Sequence, residues 1–369
     1  MSDVNHYKCP LCGAPINYVP GTDVLSCDYC GTNVQVSSLT QASEEKSFNW
    51  KSDSGSAKTD GQPEREYVCK SCGASIESFE DSFTTACPYC GNNVVVSDET
   101  TGGSRPNLII PFGLKADEIR QRISDYLKKL KLLPNGFSAA AKAGELKGIY
   151  VPFWLFECTA DGSISLHAQK ESSVTRSFRI ESSSTSAPGA RQGNTRQETV
   201  RKISHYRLER EGRFEFSKLP VDASTHFDDE AMDVLEPYDY GKLIEFDTAY
   251  FTGYLAEKFN TSYENETSRG FAKVREGILD YFKNAESGYS SLTVEKDDMK
   301  IEIDNVQYAM LPVYALNFSF KGENHRIYAN GQTGKVTADL PVDAGKSWKY
   351  SILTFLPVFA LAFAICMFI

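Results

Sequence analysis

Eight of the ten cysteines fall into four Cys-x-x-Cys pairs, and the pairs form two sets of identical spacing: Cys9/Cys12 with Cys27/Cys30, and Cys69/Cys72 with Cys87/Cys90. In each set fourteen residues separate the pairs, and a glycine (Gly13, Gly31, Gly73, Gly91) follows the second cysteine of each pair. The two-residue gap lets one tight turn bring two sulfurs to the same point, and two such knuckles complete a tetrahedron of thiolates, the arrangement Zn²⁺ prefers. Glycine after each knuckle permits positive φ, so that backbone amides can turn toward the sulfurs. The intervening stretch suits a short hairpin, with Val34-Gln35-Val36 and Val94-Val95-Val96 as closing strands. The reading is two zinc ribbons, 7–37 and 66–97, each holding one structural Zn²⁺, two ions in all. A disulfide or redox role for the thiols is the alternative, and four cysteine ligands leave no open position for catalysis. Met1–Tyr7 has no apolar core of a secretory signal, so thiols in a reducing compartment fit zinc better than disulfides.

Between the ribbons, 38–65 is rich in Ser, Gly, Lys and Glu, with Phe48 and Trp50 its only aromatic groups. It reads as a flexible linker that leaves the ribbons free to move independently. The rest, about 107–345, alternates helical and strand patterns and predicts an α+β domain. Ile119, Ile123, Leu127 and Leu130 mark a helix over 117–133, stopped by Pro134-Asn135-Gly136. Phe271, Val274, Ile278 and Phe282 mark a second over 264–285. Strand patterns fall at 148–158, 163–168, 200–216, 299–303 and 313–320, and Gly331-Gln332-Thr333-Gly334 reads as a hairpin turn. Tyr150-Val151-Pro152-Phe153-Trp154-Leu155 is echoed by Met310-Leu311-Pro312-Val313-Tyr314-Ala315-Leu316, and Leu219-Pro220-Val221-Asp222 by Leu340-Pro341-Val342-Asp343. These echoes suggest two related halves with antiparallel sheets, the first carrying an insertion at 168–204. Chance similarity of short proline-containing strings is the other explanation.

The chain closes on Ser351–Ile369, nineteen residues without a charge. As a helix it would reach about 28 Å, close to the roughly 30 Å hydrocarbon core of a bilayer. Trp348 and Tyr350 stand where interfacial aromatics are found, and Lys346 and Lys349 put the preceding side in the cytoplasm. The expectation is one transmembrane helix at 351–369 in the inner or plasma membrane, with the N-terminal domains cytoplasmic; a buried core helix is the alternative.

Charge bears on partners. The net charge is −10; residues 7–37 set Lys8 against Asp23 and Asp28, and residues 66–97 set Lys70 against Glu66, Glu77, Glu80 and Asp81. Nucleic-acid binding needs clustered cations, so nucleic acid is disfavoured as a partner and other proteins are favoured. The one basic stretch is the insertion, where Lys170, Arg176, Arg179, Arg191, Arg196, Arg201 and Lys202 outnumber Glu171, Glu181 and Glu198; it reads as a solvated loop, or one that touches anionic headgroups. No GxxxxGK(S/T), HExxH or GxSxG occurs, the five histidines are scattered, and Asp228, Asp229, Glu230 and Asp233 read as a solvated helix start. No catalytic or cofactor-binding residue beyond the eight cysteines is predicted.

The strings Tyr150-Val151-Pro152-Phe153-Trp154, Leu219-Pro220-Val221-Asp222, Glu236-Pro237-Tyr238-Asp239 and Asn330-Gly331-Gln332-Thr333-Gly334-Lys335 resemble a bacterial group of zinc-ribbon membrane proteins. That group includes the YdjG-like proteins and is often labelled as carrying a transcription-factor-IIB-type zinc ribbon, or as a PriA-type primosomal helicase. The resemblance covers the ribbons and most of 107–345. It implies a non-enzymatic membrane adaptor that recruits peripheral proteins to the cytoplasmic face, in envelope stress; the motor motifs of a helicase are missing. The alternative is a nucleic-acid-associated ribbon protein of replication or transcription. A small-molecule ligand is left open.

Overall fold

The computed structural model describes residues 4–5, 7–39, 48–51, 65–68, 75–78, 84–86, 93–96, 105–180, 194–286 and 288–368. The chain is mixed α+β with antiparallel sheets. It divides into two compact units: one made of Met1–Leu155, Pro220–Thr267 and Val306–Ile369, the other of Phe156–Leu219 and Ser268–Asn305. The units therefore do not follow the two sequence halves expected from the internal echoes. Both proline-containing strings, Tyr150–Leu155 and Met310–Leu316, lie in the first unit on neighbouring strands, Glu145–Ile180 and Lys300–Phe320.

In the first unit the strings are apolar at every position because both faces of the sheet are covered. One face carries Val151, Phe153 and Leu155, packed with Ala309, Leu311 and Val313 against Met232, Leu235 and Tyr238. The opposite face carries Tyr150 and Trp154, whose rings meet Phe112, Phe251, Phe259 and Tyr308 at centroid distances of 4.9–5.4 Å. The Trp154 indole N–H donates to the Thr261 carbonyl at 3.0 Å. The strand Lys300–Phe320 turns at Lys321-Gly322, both at positive φ, into Glu323–Asn330, as a two-residue type I′ hairpin requires. The register runs from Val313↔Asn330 to Phe320↔Glu323. The expected turn at 331–334 is present: buried Asn330 accepts from the backbone N–H groups of Gln332 and Thr333, each at 2.9 Å, before the strand Val336–Ala338.

The helix Ala116–Lys129 buries Ile119, Ile123 and Leu127. It ends earlier than the predicted 133: Leu130 is already extended, and a helix continued to Pro134 would set the proline ring against the Leu130 carbonyl. Asp228 caps the short helix Asp229–Val234 by accepting from the Ala231 N–H at 2.9 Å, which is the helix start read from the sequence.

In the second unit the strand from Phe156 onward pairs antiparallel with Ser291–Asp297, from Ile164↔Asp297 to Gln169↔Ser291. The part of the helix Tyr263–Ala285 from Ser268 onward belongs to this unit and carries the buried Gly270, Val274, Ile278 and Phe282. The basic stretch 168–204 is not a plain loop. Strand continues through Ile180 and resumes at Asn194, with 181–193 outside the described residues. Its exposed Val174, Val200 and Ile203 are β-branched, and Arg201 donates to Glu171, and Thr175 lies 3.3 Å from Thr199 across the pair.

The C-terminal segment is the helix Ala344–Phe368, with Ile352, Leu353, Phe355, Leu356, Val358 and Phe359 exposed. In contrast to the transmembrane segment expected over 351–369, no helix among the described residues is long and apolar enough to cross a membrane. What the helix does show is a run of exposed apolar side chains from Ile352 to Phe359.

Candidate metal centre

Two short hairpins build the first cysteine site. Asn17–Tyr18, Val24–Ser26 and Asn33–Gln35 form a three-stranded antiparallel sheet over a small core of Ile16, Tyr18, Leu25 and Val36. The two knuckles at its end are near copies. The Gly13 N–H donates to the Cys9 carbonyl and the Gly31 N–H to the Cys27 carbonyl, both at 2.9 Å, and both glycines sit at φ 72°. That left-handed conformation is open to glycine without the penalty a Cβ brings.

The knuckles gather four sulfurs. The ligand atoms of Cys9, Cys12, Cys27 and Cys30 all lie within 4.8 Å of one another, with Cys9–Cys30 and Cys12–Cys27 each at 3.5 Å. A disulfide would bring sulfurs to about 2 Å, whereas a tetrahedral zinc with 2.3 Å bonds spaces them at about 3.8 Å. Donor set and spacing therefore fit one metal ion. Cys9 and Cys27 are buried while Cys12 and Cys30 are exposed.

The backbone prepares the thiolates, as the glycine positions suggested. The N–H of Cys12 holds the Cys9 thiol below its ordinary value. The Thr32 hydroxyl, 3.0 Å from the sulfur, and then the Thr32 N–H bring Cys30 down to about 6. Cys12 moves the other way: the Ala14 N–H pulls it down, but the neighbouring sulfurs and desolvation together push it up to about 12. Without a cation, four thiolates this close repel, so the cluster as a whole holds on to protons that a bound cation would displace.

This first ribbon is part of the first unit and packs on the rest of it rather than hanging free on a tether. The Tyr7 hydroxyl lies 2.6 Å from that of Thr248. The Tyr18 N–H donates to Thr252 at 3.1 Å and the Gly21 N–H to Phe112 at 2.8 Å. A Cβ at Gly21 would stand 3.0 Å from the Gly113 carbonyl oxygen, so glycine allows this approach. The Tyr18 ring meets Tyr250 edge-on at 5.1 Å. Phe48, read as part of a flexible linker, is buried against Trp154 at 4.9 Å. The aromatic face of the sheet explains both contacts, since Tyr150 and Trp154 need a cover that the ribbon and linker supply.

The second set, Cys69, Cys72, Cys87 and Cys90, lies outside the described residues. Around it the backbone forms the antiparallel pairs Arg65–Val68 with Ser75–Ser78 and Thr84–Ala86 with Asn93–Val96, and Val4–Asn5 pairs with Asn93–Val96.

Two groupings had no sequence signal. His167 and His205, scattered in the chain, lie side by side with Nε2 and Nδ1 2.9 Å apart and rings parallel to 4°. In the first unit Glu257 receives the Ser224 hydroxyl at 3.1 Å and faces His226 Nδ1 at 3.3 Å. One carboxylate takes both partners, so the histidine does not face the serine oxygen as a general base would. Pairings of this kind depend on strand register, which short motifs do not encode.

An α+β protein with an N-terminal cluster of four cysteines able to hold one metal ion is the class that fold and site define. The chain is 31% identical over 340 residues to the uncharacterized protein YdjG of Bacillus subtilis (strain 168), covering 92% of this chain and 91% of that one. It belongs to the YdjG family. No family model matches the chain, and no solved structure matches it. The YdjG match carries neither the transcription-factor-IIB-type nor the primosomal-helicase label, and it identifies no enzyme family.

Proposed function

We propose that the chain is a non-enzymatic adaptor that binds and recruits proteins at the cytoplasmic face of the inner or plasma membrane. One observation carries the reading: Leu11 and Tyr29, one between the cysteines of each knuckle, are 78% and 85% exposed. An exposed leucine and an exposed tyrosine at the knuckle tips offer an apolar and an aromatic contact that a protein partner can cover. Four thiolates close the coordination sphere, so the ion stiffens the tips and does no chemistry. The acidic ribbon fits a protein better than nucleic acid. A second Zn²⁺ on Cys69, Cys72, Cys87 and Cys90 gives the adaptor a second module of the same design.

The exposed run Ile352–Phe359 supports attachment through the C-terminal helix, continued by the apolar residues up to Ile369. Lys346 and Lys349 before it favour a cytoplasmic N-terminal side. The resemblance to zinc-ribbon membrane proteins adds envelope stress as the setting. The test is membrane fractionation of cells expressing the full chain, with zinc measured on the purified protein. The expected result is sedimentation with membranes, extraction by detergent and not by salt, and two zinc ions per chain. A chain left in the supernatant, or one without zinc, removes the reading.

A further inference from the structure

We infer that the end of the helix Ala116–Lys129, with the segment after it, forms a basic collar that rests on anionic lipid headgroups at the base of the C-terminal helix. The inference rests on the membrane-attachment reading above and specifies which face of the first unit meets the bilayer.

The connection is structural. The Asp343 N–H donates to the Leu132 carbonyl at 2.9 Å, and Lys346 Nζ donates to the Leu133 carbonyl at 2.6 Å. Asp343 also caps the helix, accepting from the Lys346 N–H at 2.9 Å. The first turn of the C-terminal helix is thereby tied to residues 132–133, and the two move together. Lys128 and Lys129 close the helix Ala116–Lys129, Lys131 follows, and all three are exposed. Lys349 extends the group, and Trp348 is 71% exposed beside it.

From Lys346 to Ile352 the helix rises about 9 Å, close to one Debye length at physiological salt. A bilayer that takes up the apolar run from Ile352 onward therefore brings its headgroups to the level of these lysines. Among the described residues, Asp125 pairs with Lys128 at 2.8 Å and also feels the charge of Lys129, while Asp343 caps the C-terminal helix. Lys129, Lys131 and Lys349 are exposed and can reach lipid phosphate, on a protein whose net charge is −10. Exposed Leu132 and Val342 add apolar area at the same level, as interfacial surfaces do.

The test reconstitutes the full-length chain in vesicles of phosphatidylcholine alone, or of phosphatidylcholine with phosphatidylglycerol. Lysines are then acetylated and read by mass spectrometry. The chain is expected to float with both vesicle types. Acetylation of Lys129, Lys131 and Lys349 should fall about fivefold in the anionic vesicles, return at high salt, and leave the ribbon residue Lys8 unchanged. Flotation with equal acetylation in both lipids overturns the collar and leaves attachment standing. Failure to float with either overturns the attachment reading, and the collar with it.

Discussion

Tyr18→Ala tests whether the first ribbon and the first unit behave as one body. The ring is 5% exposed, meets Tyr250 edge-on at 5.1 Å and Tyr254 at 6.4 Å, and its hydroxyl reaches the Phe112 carbonyl only at 3.5 Å. The hydrogen bond is long and adds little, so the loss is one of packing. Truncating a buried aromatic costs about 3–5 kcal/mol, of which the ring pair with Tyr250 accounts for about 1 kcal/mol. A loss near 4 kcal/mol raises the undocking equilibrium on the order of a thousandfold. Hydrogen exchange by mass spectrometry on the full chain reads it. Amides of Thr248–Tyr254 and of the ribbon strands should speed up together, while Tyr29→Ala, at an exposed tip, changes neither. If ribbon exchange rises and that of Thr248–Tyr254 stays as in the parent, the ribbon is an independent module and the docking argument is wrong.

Zinc affinity should fall as pH drops from 8 toward 6: the metal needs four thiolates, and the protons that the crowded sulfurs retain, with Cys12 raised by its neighbours, must leave. Zinc titrations with a pH indicator should show proton release, and a pH-independent affinity would contradict it. Gly148→Ala places a Cβ 2.5 Å from the Tyr254 ring, which stacks on Phe112 at 4.0 Å, and should destabilise the first unit by about 1–3 kcal/mol in denaturant titration. Asp228→Ala removes a helix cap and should cost about 1 kcal/mol by the same measurement. Cys158, its thiol raised to about 11 by burial, should resist maleimide at neutral pH in the folded protein and react after denaturation.

Local order was the legible part of this sequence. The knuckle spacing places Cys9, Cys12, Cys27 and Cys30 together, because a two-residue turn leaves few ways to arrange two sulfurs. Helical period located Ile119, Ile123 and Leu127, and turn chemistry located Gly331–Gly334. What stayed hidden depends on contacts far apart in the chain. Phe48 is one of few apolar residues in a polar stretch and carries no period, yet it covers Trp154. Gly21 looks like any turn glycine until its amide meets Phe112. The stretch 168–204 reads as a loop because its residues are polar, but β-branched positions and cross-strand pairs keep it extended with both faces wet. The interleaved units arise because the long strands Glu145–Ile180, Asn194–Asp222 and Lys300–Phe320 each contribute to both, and no linear echo reveals such sharing.

The adaptor claim is tested most directly at the knuckle tips. The full-length chain and its Leu11→Ser/Tyr29→Ser variant would be crosslinked in intact membranes, purified, and compared for zinc content and for crosslinked proteins. The account predicts equal zinc in both, because neither residue is a ligand or part of the ribbon core, together with loss of the main crosslinked partners from the variant. Equal zinc with an unchanged set of partners would contradict it, and the exposed tips would then have no part in docking.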